Sequence, residues 1–137
     1  MDFDLNETQK LFKSSARELF AQECPPEAVR AVIENGEPYS EKLWQQLAEQ
    51  GWTGLIFDEA DGGMGLGYVE MAVALEEMGR ALVPGAFLST VALAGALVAR
   101  AGNAAQRNQY LKAICEGKAR ATVAWLEASG DWNVDAV

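Results

Sequence analysis

From Ala81 to Ala101 the chain reads ALVPGAFLSTVALAGALVARA, and no charge falls between Arg80 and Arg100. Pro84 and Gly85 break the run. Beyond them Phe87, Leu88, Val91, Leu93, Leu97 and Val98 spread over nearly all faces of one helix, the pattern of a buried element. A membrane span needs roughly 20 uninterrupted apolar residues, whereas this run is shorter, rich in Ala and Gly, and carries Ser89 and Thr90. Residues 86–101 are therefore expected to be the most buried helix of an antiparallel helical domain over residues 1–119, without a membrane span.

The flanking pattern supplies the rest of that domain. Asn6 and Gln9 form a capping-box pair, and Leu5, Phe12, Ala16, Leu19 and Phe20 recur at helical spacing up to Pro25-Pro26. A short helix follows from Glu27 to Asn35, ending at Gly36. Tyr39 and Trp44 flank Ser40 as a hydrophobic staple opening a helix with Leu43, Trp44 and Leu47 inward and Gly51 as its stop. Residues 52–67, with five glycines, read as a loop containing an extended piece at Leu55–Phe57. Tyr68 to Leu82 reads as a helix with Val69, Ala72, Val73 and Leu75 on its inner side and Glu70, Glu76 and Glu77 in solvent. Asn103 and Gln106 repeat the capping box, with Tyr110, Leu111 and Ile114 expected in the core until Gly117.

After Arg120 the period changes to that of a strand, Ala121-Thr122-Val123-Ala124-Trp125-Leu126. One strand cannot make a sheet. The expectation is an all-α helical bundle over 1–119, with residues 120–137 as the first strand of a truncated β domain.

Composition narrows the chemistry. A net charge of −9 at pH 7 and the absence of any basic tract argue against a nucleic-acid or anionic-membrane partner. There is no histidine, which removes Ser-His catalysis and the commonest metal ligand. Cys24 and Cys115 lack metal-type spacing and read as buried or incidental thiols, so no metal site is expected. The acidic amino terminus has no secretory pattern, which makes the cytoplasm the expected compartment.

Gly63, Gly65 and Gly67 could suggest a phosphate cradle, but the spacing is GxGxG and Asp58, Glu59 and Asp61 would repel a pyrophosphate. A structural turn is the better reading. Glu76 and Glu77 point about 100° apart on a helix and cannot share a substrate. The four tryptophans are scattered, as core and interface anchors are. Ser89 and Thr90 either bond back to the preceding helical turn or face a cavity.

The order of these pieces resembles a known family. LNETQKLF, LWQQLAEQGWTGLIFDEADGGMGLG, ALEEMGRALVP and AGNAAQRNQYLKAICEGKARATVAWLE together resemble the acyl-CoA dehydrogenases, collinearly over residues 3 to about 131. That resemblance implies the family's helical amino-terminal domain, followed by a β-barrel and a carboxy-terminal bundle. It implies FAD-dependent α,β-dehydrogenation of an acyl-CoA, of fatty or steroid side-chain type, with electrons passing to an electron-transfer flavoprotein and a homo- or hetero-oligomeric assembly.

Carried over residue by residue, it makes Ser89, Thr90 and Leu93 candidate contacts for the acyl tail. It also places Trp125 and Leu126 at the flavin edge. The family's TEPxAGSD segment aligns with Leu126–Asp131, where Glu127 and a shifted Gly-Asp remain and Leu126 replaces a threonine. The family's catalytic carboxylate falls beyond residue 137, so this chain contains no catalytic residue on that reading. The resemblance also admits a second class, a flavin-free partner subunit of a heteromeric dehydrogenase.

Overall fold

The computed structural model describes residues 4–37, 39–133 and 135. Helix α1 spans Glu7–Glu23; Asn6 Oδ1 accepts from Gln9 N and the Gln9 side chain accepts from Asn6 N, so the capping box forms as expected. Helix α2 is Pro26–Glu34 and α3 is Glu41–Glu49, the latter capped by Ser40 Oγ on Leu43 N and burying Leu43, Trp44 and Leu47. Gly51 follows at φ +79, a left-handed stop that costs glycine nothing.

Helix α4, Tyr68–Arg80, ends at a turn in which Leu82 takes φ +52. It buries Met71, Val73, Ala74, Glu77 and Met78, which differs from the expected face in two ways. Val69 and Ala72 face out, and Glu77, expected in solvent, has no exposed surface. The reason lies on α1: Gln9 bonds Glu70 (2.8 Å), Lys13 pairs with Glu76 (2.8 Å), and Arg17 grips Glu77. These partners ascend together along both helices. Thus α1 and α4 pack in parallel, not antiparallel as expected, because α2, α3 and the glycine-rich loop return the chain to the same end before α4 begins.

That loop packs deep instead of floating. Residues 55–57 form a turn, not an extended piece, and Leu55 and Phe57 are fully buried between two short 3₁₀ turns at Trp52–Gly54 and Glu59–Asp61. Trp52 stacks on Phe12 and meets Phe20 edge-on, with centroids 5.0 and 5.5 Å apart. A Cβ on Gly63 would collide with the Phe57 carbonyl oxygen, while Gly62 and Gly65 take positive φ (+87 and +64), so the glycines act as a structural turn.

The central run forms a π-helix over Leu88–Gly95 that continues into α5, Ala96–Ala101. Its inner side presents Phe87, Thr90, Val91 and Ala94 to the core, with Gly95 against the Phe57 ring. The expectation that every face is buried is corrected. Leu88, Leu93 and Leu97 are each about half exposed (55%, 51% and 52%). An all-round apolar sequence records that each face is meant to be dry, and one of those faces is uncovered here.

The chain returns through α6, Ala104–Gln106, a π segment at Arg107–Leu111, and α7, Lys112–Cys115. The Asn103–Gln106 capping box is present, and Leu111 and Ile114 are buried, but Tyr110 faces out. Arg107 ties this return to the glycine loop through Asp58 (2.9 Å) and Asp61. Among the described residues no β-ladder forms. Residues 119–126 lack a partner strand, yet 119–124 keep a period of two, with 119, 121 and 123 turned inward, until Trp125 and Leu126 are both exposed.

Candidate functional site

The uncovered face of the central helix and the segment leaving α7 enclose an apolar groove. One part, about 570 Å³, runs from Ala94, Leu97 and Val98 past Tyr110 and Ile114 to residues 119–124. A second part, about 350 Å³, is walled by Ala92, Leu93, Leu97, Val123 and Trp125. Leu97 and Val123 belong to both, so the parts are continuous. Neither wall carries a carboxylate, and the one charged residue on it, Arg120, is turned to Glu41 (3.3 Å) and lies over the Tyr39 ring (4.3 Å).

The site residues expected from sequence separate into distinct roles. Leu93 lies on the groove wall with half its surface open. Ser89 Oγ donates back to the Ala86 carbonyl (3.1 Å), the local bond that a helical serine makes by default. Thr90 has no exposed surface, and its hydroxyl is committed to the backbone of Ala121, accepting from its N–H (3.0 Å) and donating to its carbonyl (3.2 Å). Trp125 reaches the groove and stacks edge-on with Trp132 at 5.0 Å, while Leu126 beside it is 42% exposed. Leu126 offers only its backbone as a hydrogen-bond donor.

No carboxylate here is poised as a base. Glu76 is paired with Lys13, and Glu77 is clamped by Arg17 and Arg80, which hold its carboxyl down to about 2. Burial and the nearby Asp61 charge push the Cys115 thiol up to about 11, so it is no nucleophile. Among the described residues no group of three or more His, Cys, Asp or Glu side chains could hold a metal ion.

Sequence reasoning missed the grip of Thr90 on Ala121. Its only sequence signal is a threonine in an otherwise apolar helix.

The Acyl-CoA dehydrogenase, N-terminal domain family model matches residues 6–118. The chain belongs to the acyl-CoA dehydrogenase family. Within it, the chain is 35% identical over 120 residues to Acyl-CoA dehydrogenase IpdE2 of Mycolicibacterium smegmatis, covering 87% of this chain and 37% of that protein. Among solved structures it is similar to a variant of the Tcur3481-Tcur3483 steroid ACAD, with 36% identity, TM-score 0.79 and coverage of 89% of this chain and 33% of that one. The ChsE4-ChsE5 complex from Mycobacterium tuberculosis matches at TM-score 0.86 and 25% identity, covering 96% and 36%.

An acyl-CoA dehydrogenase from Bacillus anthracis, solved in complex with FAD, also matches, at TM-score 0.79, 25% identity and 92% and 22% coverage. The chain spans about a third of the length of the family members first matched. The helical fold and the absence of strands among the described residues agree with the family's amino-terminal domain. No described helix is long and apolar enough to cross a membrane.

Proposed function

We propose that this chain serves as the amino-terminal domain of a FAD-dependent acyl-CoA dehydrogenase and contributes one wall of its acyl pocket. The observation that carries the reading is the apolar groove along Leu93, Leu97, Val123 and Trp125, a stretch whose lining matches an acyl tail in chemistry and includes no charged residue. Leu93 is the residue we assign to the tail; Ser89, bonded back to the Ala86 carbonyl, is not on the groove wall. Burial of each methylene against such a wall stabilises by roughly 0.8 kcal/mol, so groove length converts directly into chain-length preference.

Trp125 and the Leu126 backbone suit one edge of a flavin and no more, since the described chain offers neither a ring of donors nor a base. FAD, when bound, supplies hydride acceptance. What this chain supplies is tail binding, orientation and exclusion of water from one side. The base that removes the α proton and the rest of the flavin cradle are assigned to other parts of the enzyme.

Electron-transfer flavoprotein is the proposed acceptor. The ChsE4-ChsE5 complex formed by a similar chain supports a hetero-oligomeric assembly. Cys24 and Cys115 are free thiols, and the cytoplasm is the proposed compartment.

The test is acyl-CoA oxidation by the enzyme containing this chain, followed with an artificial electron acceptor across acyl lengths, for wild type and Leu93→Phe. The expected result is turnover that shifts toward shorter chains in the variant. Absence of acyl-CoA turnover would sink the activity, and an unchanged length profile would remove Leu93 from the wall.

A further inference from the structure

The chain leaving α7 is held from three sides. Thr53 Oγ1 donates to the Cys115 carbonyl (2.8 Å), Trp44 Nε1 donates to the Gly117 carbonyl (2.8 Å), and Thr90 makes its two bonds to Ala121. All three side chains are buried. Buried polar groups find partners as a rule, and the nearest local acceptor for Thr90 is already in use. The Ala86 carbonyl, one helical turn back, is taken by Ser89 Oγ and by the Thr90 backbone N–H (2.9 Å). The threonine hydroxyl is thereby left to reach another segment, 31 residues on.

What it reaches is a segment that Arg120 also ties through its side chain, to Glu41 (3.3 Å) and over the Tyr39 ring, while Thr90 grips the Ala121 backbone itself. Residues 119, 121 and 123 turn inward and 120, 122 and 124 outward, without a paired strand among the described residues to hold them. With a period of two, a slip of one residue would send Arg120 and Thr122 inward and turn Val123 away from the groove. Thr90 bonds both the donor and the acceptor of Ala121, so it fixes position along the segment as a ladder partner would.

We propose that Thr90 is a positioning residue: by holding Ala121 it sets the register of residues 119–125 and so places Val123 and Trp125 against Leu93 and Leu97 as the second wall of the groove, without touching the ligand in it. This rests on the acyl-pocket reading only for its effect on catalysis. The register itself is a property of the chain.

The test compares Thr90→Val, which keeps the shape and removes both bonds, with Thr90→Ser, which keeps the hydroxyl. In this chain, amide hydrogen exchange at Ala121 is expected to accelerate at least tenfold in Thr90→Val, to stay near wild type in Thr90→Ser, and to leave Val91 and Ile114 unchanged in both. In the flavin-loaded enzyme, Thr90→Val is expected to raise KM for the acyl-CoA severalfold with kcat little altered, and Thr90→Ser to restore it. Equal exchange at Ala121 in wild type and Thr90→Val would overturn the proposal. So would a Thr90→Ser variant as impaired as Thr90→Val, since the methyl and not the hydroxyl would then matter.

A shift in acyl preference with Ala121 still protected would also overturn it, by making Thr90 a ligand contact. An enzyme that oxidises no acyl-CoA would sink the functional reading while the exchange measurement still decided the register. If Thr90→Val does not fold, the wild-type chain decides: a slowly exchanging Thr90 hydroxyl proton with a nuclear Overhauser contact to the Ala121 amide is expected, and its absence counts against the proposal.

Discussion

Arg17 and Glu77 meet across the α1–α4 interface through two bonds, Nη2 to Oε1 at 2.7 Å and Nε to Oε2 at 3.1 Å, and the carboxylate they share has no exposed surface. Arg80 adds a third bond at 2.7 Å. The Arg17 hydrogen bond is the main reason that the Glu77 carboxyl is held down to about 2, with Arg80 acting in the same direction against the cost of burial. Because the folded value lies below the ordinary 4.5, the stabilisation is present above that value and is lost as pH falls toward 2. Wild type is therefore expected to lose stability across that interval more steeply than Glu77→Gln. At pH 7 the substitution should cost about 2–3 kcal/mol, moderated because both arginines are half in water and can rehydrate. Urea unfolding at several pH values checks both statements, and parallel pH profiles would contradict the assignment.

Gly63 sits where a side chain cannot go, facing the Phe57 carbonyl oxygen and the Gly54 carbonyl oxygen. Backbone must move to admit even a methyl group, and that backbone carries the fully buried Leu55 and Phe57. Gly63→Ala is expected to destabilise by about 3 kcal/mol, at the upper end of overpacking effects. Gly36→Ala, whose added methyl meets nothing, is expected to cost about 1 kcal/mol from its positive φ alone. Thermal midpoints of the two variants make the comparison.

Val91 and Leu93 are two residues apart on one helix and have opposite surroundings, fully buried and half exposed. Val91→Asp buries an unpaired carboxylate and is expected to cost more than about 3 kcal/mol. Leu93→Asp should change the stability of this chain by about 1 kcal/mol or less. It should also reduce binding of a fluorescent apolar dye to the groove. Equal destabilisation by the two variants would mean that Leu93 packs inside.

Titration of the isolated 137-residue chain with FAD is expected to show no tight binding, and an assay with acyl-CoA and an artificial acceptor no turnover. The physical ground is that Trp125 and Leu126 form one apolar edge, while Glu76 and Glu77 are bound to cations. Saturable quenching of flavin fluorescence at micromolar concentration would contradict this division of labour.

Local features were legible without any structure because they are written in adjacent residues. The Asn6–Gln9 and Asn103–Gln106 boxes, the Ser40 cap and the Gly51 stop each depend on side chains within four positions of the backbone they satisfy. The collinear order of those pieces also carried the family. Periodicity likewise disclosed the change at residue 121, and the alternation persists even though no strand pairs with it here.

Tertiary structure decided everything that depends on which surfaces meet. Glu77 looks like a solvated helix residue until Arg17, sixty positions away, is seen to reach it across the parallel α1–α4 pair. Residues 55–57 look extended until glycines let the loop fold onto itself around Phe57. An apolar pattern states that a helix face must be kept from water, but not what covers it, which is why Leu93 and Leu97 could be placed on the helix and not on the groove. Thr90 carries the same lesson. A helical threonine can bond back to the preceding turn and stay structurally silent, but here the Ala86 carbonyl is already used by Ser89, and the packing of residues 119–123 against the central helix brings Ala121 to its hydroxyl.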